Sequence, residues 1–219
     1  VIMKLVYLDN AATTPVNKEV ARLTCRFMTE EYGNASTLYK LGREAREIVE
    51  NARKKIAEMI NVKPEEIIFT SGGTESNNLA IKQNWKHIIT SKIEHPSVLE
   101  TCKTMQKNGI KVDYISVDNE GIINIKELEN KITPGCLVTI MHVNNEIGVI
   151  QNIRKIAEIC EKSGAIFHTD AVQSFGKLKI DAANIGMLSA SGHKINSPKG
   201  IGFLYVKKGI KLNPLLDGG

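Results

Sequence analysis

The chain has 219 residues, 42% of them hydrophobic and 24% charged, enough to bury a full core as one large domain, which excludes the disordered and fibrous classes. Its formal charge of +5 comes from lysines scattered among Glu and Asp, with no basic stripe to track a phosphate backbone, so direct nucleic-acid binding is not expected. Cys25, Cys102, Cys136 and Cys160 form no CxxC pair, and no secretory signal or membrane-length apolar run appears; a reducing, cytoplasmic setting away from the membrane fits.

In chain order, residues 5–8 are a short apolar segment broken by the turn formers of 9–15. Helical spacing over 16–31 is stopped at 32–36. From 41 to 60, Ala45, Ile48, Val49, Ala52, Ile56 and Met59 recur at three and four residues between charges, which predicts an amphipathic helix. Strands are then predicted at 66–70, 87–91, 112–117, 137–143, 165–169 and 203–206, with helices at 75–82, 96–107, 126–131 and 153–162. This alternation predicts a mostly parallel sheet with helices on both faces. In such sheets ligands lie beyond the carboxyl ends of the strands, so the polar residues there are candidates for a site.

After the first of these strands comes Ser71-Gly72-Gly73-Thr74-Glu75-Ser76, a turn into a helix that suits a phosphate; an ordinary helix capped by Thr74 is the plainer reading. Glu94-His95-Pro96-Ser97 offers an imidazole that could stack on a flat ligand or be a simple loop residue. Asn144-Asn145 brings amides that bind a ring substituent or merely form a turn. Asp170, leaving a buried strand, either meets a cation or caps a following helix. Lys194, on the Ser/Gly/His turn 191–193 between apolar strands, is a candidate Schiff-base amine or a surface lysine. A phosphate cradle, an imidazole, amides, a carboxylate and a lysine together form the set that pyridoxal 5'-phosphate requires. His87, His95, His142, His168 and His193 have no HExxH or Cys/His ligand spacing, so no metal is expected.

The strings YLDNAATTP, FTSGGTESNNLAI, EHPSVLETC, MHVNNEIGVIQ, HTDAVQSFGKLKID and SGHKINSPKGIGFLYV together resemble the pyridoxal-phosphate-dependent cysteine desulfurases of the iron–sulfur assembly type, within the class-V aminotransferases, from residue 7 to 219. The resemblance implies an aspartate-aminotransferase-like (fold type I) α/β large domain and a homodimer with sites at the subunit interface. Residues 1–15 would be the N-terminal segment of a small domain and 16–219 the cofactor-binding large domain, the rest of the small C-terminal domain being absent.

By matched position, Lys194 would hold the cofactor and, with His95, act catalytically, His95 also stacking on the ring. Asp170 would pair with the pyridine nitrogen, Asn145 and Gln173 would approach the ring hydroxyl, and Gly73, Thr74, Ser191 and His193 would hold the phosphate. L-cysteine would be converted to L-alanine, its sulfur passing as an enzyme persulfide towards an iron–sulfur scaffold or another acceptor protein. The family's mobile catalytic cysteine has no counterpart among the four present, which are expected to be structural; a complementing C-terminal chain could supply it. Gly73, where the family often has alanine, and Asn196-Ser197, where an aromatic or His followed by Gly is usual, also depart from the pattern. Two alternatives stand beside the desulfurase: a cofactor-binding fragment inactive without a C-terminal domain, and a selenocysteine lyase-like enzyme.

Overall fold

Period-two alternation along the strands divides the apolar side chains between two layers of helix. In a computed structural model describing residues 6–218, Ile88, Leu137, Met187 and Leu204 pack with Leu79, Val98 and Cys102 on one face. Their neighbours Ile89, Val138, Leu188 and Phe203 pack with Ala57, Leu128, Ile156 and Cys160 on the other. A strand buried on both faces has no polar alternation to show, which is why these strands read as continuous apolar runs.

In chain order the elements are α1 (Lys18–Thr29), α2 (Lys40–Met59), β1 (Ile67–Thr70), α3 (Gly73–Ile81), β2 (His87–Ser91), α4 (Pro96–Lys107), β3 (Lys111–Ile115), α5 (Ile125–Lys131), β4 (Leu137–Thr139), α6 (Ile153–Lys162), β5 (Ile166–Asp170), β6 (Met187–Ser191) and β7 (Gly202–Val206). The sheet has the order β1-β7-β6-β5-β4-β2-β3. The pairs β2·β3, β2·β4, β4·β5 and β5·β6 are parallel, and β7 runs antiparallel between β1 and β6. The mostly parallel sheet covered on both faces is thus present. Asn17, Asn124 and Asn152 begin α1, α5 and α6, their side-chain oxygens accepting from backbone N–H groups of the first turn.

Most other boundaries shift by one or two residues, but three differ from the sequence-based expectation where a side chain captures a backbone N–H. The strand expected at 137–143 stops at Thr139: β2 has already ended, and the Met141 N–H donates instead to Glu94 Oε2 at 2.9 Å. The strand expected at 112–117 stops at Ile115, where the Ser116 N–H donates to Glu127 at 2.8 Å. The turn expected at 71–74 is shorter, since α3 begins at Gly73 with Gly72 as its N-cap. Ser71 donates its N–H to Glu75 at 2.7 Å, so Thr74 lies inside the helix and is not the cap. The apolar segment at 5–8 lies partly outside the described residues; 6–8 have no regular structure.

Candidate active site

Every parallel strand presents its carboxyl end on one edge of the sheet, and a cavity of about 580 Å³ opens there, within the range typical of small-ligand sites. All nine residues singled out from the sequence line it: Gly73, Thr74, His95, Asn145, Asp170, Gln173, Ser191, His193 and Lys194. Asp9, Ala11, Ala12, Asn77, Ser97, Met141, Glu146 and Val172 complete the wall.

One end suits an anion. The first-turn N–H groups of α3 have no acceptor within the helix, and the helix dipole adds to their pull on negative charge. Gly72 makes the entry possible at φ 154°, a backbone state that disfavours any side chain. Ser191 ends β6, and the 3-10 turn Gly192–Lys194 follows at once, setting a hydroxyl, an imidazole and an amine on the same wall. His193 is anchored through Nδ1, 3.1 Å from the Thr13 hydroxyl. Burial, then Lys194 and Lys199, push its pKa down, so its ring is neutral at neutral pH.

The other end suits a cation. Asp170 is the last residue of β5 and is buried. Its Oδ1 accepts the Val172 N–H at 2.9 Å and its Oδ2 accepts from Asn77 Nδ2 at 2.7 Å. Burial raises its pKa, while these two bonds and the nearby His95 and Lys194 act against that rise. Residues 172–177 form turns and not a helix, so the helix-capping role does not apply. A buried carboxylate supplied with only two donors has capacity left for a cationic N–H facing it from the cavity.

Between the two ends lies Lys194, half-buried. Burial and then Lys177 lower its pKa, with Asp170 and Asp9 opposing, a direction that favours the nucleophilic amine. Its Nζ donates to the Ala11 and Ala12 carbonyls, the latter at 2.7 Å. Gln173 Nε2 donates to the same Ala11 carbonyl at 2.8 Å, and the Thr14 N–H and hydroxyl both donate to the His193 carbonyl at 2.9 Å. The 9–15 segment is therefore stitched to the lysine turn. His95 is the N-cap of α4, its Nδ1 accepting the Ser97 N–H at 3.1 Å, and so has a defined orientation that a plain loop residue lacks.

Sequence reasoning missed Asn77, Glu94 and the Ala11–Ala12 carbonyls. Asn77 lies one turn beyond Gly73 on the same helix face, which was a usable signal. The carbonyls carry no side-chain signature at all. None of the four cysteines lines the cavity. Cys102, Cys136 and Cys160 are buried, burial raising the Cys102 and Cys160 thiols to about 12. Cys25 is exposed on α1 and is not the core residue it was expected to be.

A mostly parallel sheet covered on both faces, with a free helix N-terminus, a lysine and a buried aspartate at its carboxyl edge, is the architecture of the aspartate-aminotransferase-like large domain. The chain belongs to the class-V aminotransferase family, whose model matches residues 6–219. It is 48% identical to the cysteine desulfurase IscS of Methanosarcina thermophila, over 99% of this chain and 56% of that protein. A solved NifS-like protein superposes with a TM-score of 0.94 at 39% identity, covering 98% of this chain and 62% of the other. SspA, solved in complex with cysteine, superposes at 0.93 and 42% identity, covering 97% and 65%. The chain thus spans little more than half the length of the curated relatives it matches.

Proposed function

We propose that this chain is the pyridoxal-phosphate-binding large domain of a cysteine desulfurase, with residues 1–15 belonging to a smaller domain. The observation that carries the reading is the joint lining of one cavity by Lys194, Asp170, His95 and the α3 N-terminus; the names of the relatives support the substrate. Lys194 would hold the cofactor's aldehyde carbon and Asp170 its ring nitrogen. Asn145 and Gln173 would meet the ring hydroxyl, His95 one ring face, and Gly73, Thr74, Ser191 and His193 the phosphate. When bound, the cofactor supplies an electron sink for the carbon bearing the substrate amine.

The chain's own residues bind and steer. Asp170, whose carboxylate oxygens accept from the Val172 N–H and Asn77 Nδ2, would as an anion favour a protonated ring nitrogen. Lys194, whose pKa burial lowers, would as a neutral amine be able to take a proton within the cavity. Overall, the C–S bond of L-cysteine would break, a thiol of the whole enzyme would form an S–S bond to that sulfur and become a persulfide, and the carbon would keep the electron pair of the broken bond and take up a proton, giving L-alanine. Because no cysteine lines the cavity, that thiol would come from outside the described residues, on a complementing segment or chain. The same observation favours a second reading, a module that binds the cofactor but is inactive alone.

We further place the working protein as a homodimer in a reducing, cytosol-like compartment, supported by four unpaired cysteines, handing sulfur to an iron–sulfur scaffold or another acceptor protein. The test is a visible spectrum of the chain with pyridoxal phosphate beside Lys194→Ala, then borohydride reduction and peptide mapping. An absorption band that requires Lys194 and an adduct on that residue are expected. A folded chain with no band would overturn the cofactor site. Alanine formed from cysteine only when a C-terminal segment is added separates the desulfurase from the inactive module.

A further inference from the structure

Asn77 is fully buried on α3, yet its Oδ1 has no hydrogen-bond partner among the described residues. Buried amide oxygens are rarely left so, and packing alone would favour an apolar residue. What the amide does instead is bridge two functional side chains. Its Nδ2 donates one hydrogen to Asp170 Oδ2 at 2.7 Å and the other to Ser97 Oγ at 2.9 Å. Ser97 Oγ in turn lies 2.8 Å from His95 Nδ1.

The direction of each bond follows from the first. A carboxylate only accepts, so the amide nitrogen must face Asp170. The same nitrogen then donates to Ser97 Oγ, which leaves the hydroxyl hydrogen to point at His95. That Nδ1 already accepts the Ser97 backbone N–H at 3.1 Å, so it accepts twice and carries no hydrogen of its own.

We infer that Asn77 and Ser97 are positioning residues that join Asp170 and His95 in one hydrogen-bonded chain and hold neutral His95 as its Nε2–H tautomer. The ring nitrogen left free of the protein is then a donor, so His95 offers a hydrogen to the cavity and does not take one there. The purpose of this rests on the proposed cofactor site, but the hydrogen-bonded chain belongs to the protein without it.

The test uses the full chain free of cofactor, with nitrogen-labelled histidine, in long-range proton–nitrogen correlation spectra of the wild type, Asn77→Leu and Ser97→Ala. The wild type is expected to show His95 chiefly as Nε2–H. In both variants the Nδ1–H population should rise about threefold or more, the ratio expected for one neutral hydrogen bond. A major Nδ1–H form in the wild type overturns the inference, as does an unchanged population in Asn77→Leu with a native circular dichroism spectrum. If Asn77→Leu fails to fold, Ser97→Ala decides: it leaves Asn77 and Asp170 in place, and an unmoved tautomer there overturns the inference. Failure of the cofactor site would show as a missing absorption band in a separate experiment.

Discussion

Glu94, next to His95 in the chain, is a buried carboxyl. It shares a 2.6 Å hydrogen bond with the Ser91 hydroxyl and accepts the Met141 N–H. Burial pushes its pKa up to about 8, against those two bonds. A raised carboxyl pKa gives stability that is complete below the unfolded value, near 4.5, and is lost as pH rises through about 8. The histidines with resolved shifts, His142, His168 and His193, all move downward from 6.5, so they add stability as pH rises and oppose this loss in part until their unfolded forms are neutral, above about pH 7.5. Between pH 7 and 8 the loss from Glu94 should be about 1 kcal/mol. Urea midpoints should fall over that interval and level off above it. Glu94→Gln keeps the shape and the Met141 bond, so its profile should be flat there; an equal slope in that variant would show that another group is responsible.

At the level of elements, two glycines separate a rigid contact from a yielding one. A Cβ on Gly202, at the head of β7, would stand 2.5 Å from the Ala190 carbonyl oxygen and 2.7 Å from Gly72 Cα. Both are backbone atoms, one on the strand beside it and one at the entry to α3, so neither can turn aside. A Cβ on Gly73 would meet the Val172 Cγ2 methyl at 2.6 Å, which is side chain. Gly202→Ala should cost about 1–3 kcal/mol, the usual range for overpacking, and loosen the anion cradle through Gly72. Gly73→Ala should cost less, and adding Val172→Ala should recover at least half of its loss. Thermal melts of the four proteins check the order. The departure noted at Gly73 thus has a local cause: Val172 occupies the space that an alanine methyl would take.

Across the whole molecule, α1 buries none of its residues. Leu23 and Met28 on it, and Tyr32, Leu38 and Tyr39 after it, are all exposed. Exposed apolar residues this close together in the chain suit a docking face, and a second copy of the chain is the occupant that the proposed dimer would place there. Light scattering is expected to show association at micromolar concentration; a monodisperse monomer would count against the dimer.

The helices and strands were legible from the sequence because each is dictated by near neighbours. The apolar positions of 41–60, the turn formers before each helix, and short β-rich runs between amphipathic segments all act within a few residues. The strands β2 and the helices α4 and α6 were read to the residue. The site could be proposed for a related reason: an alternating pattern implies a parallel sheet, and a parallel sheet brings every strand's carboxyl end to one edge. Tertiary structure alone decided how those ends are finished. Glu94 takes the Met141 backbone donor, just past the end of β4 and 47 positions away, and Asn77 meets Asp170 across 93. A hydrogen bond between such distant residues leaves no periodic trace, since its partners come together only after the sheet has formed.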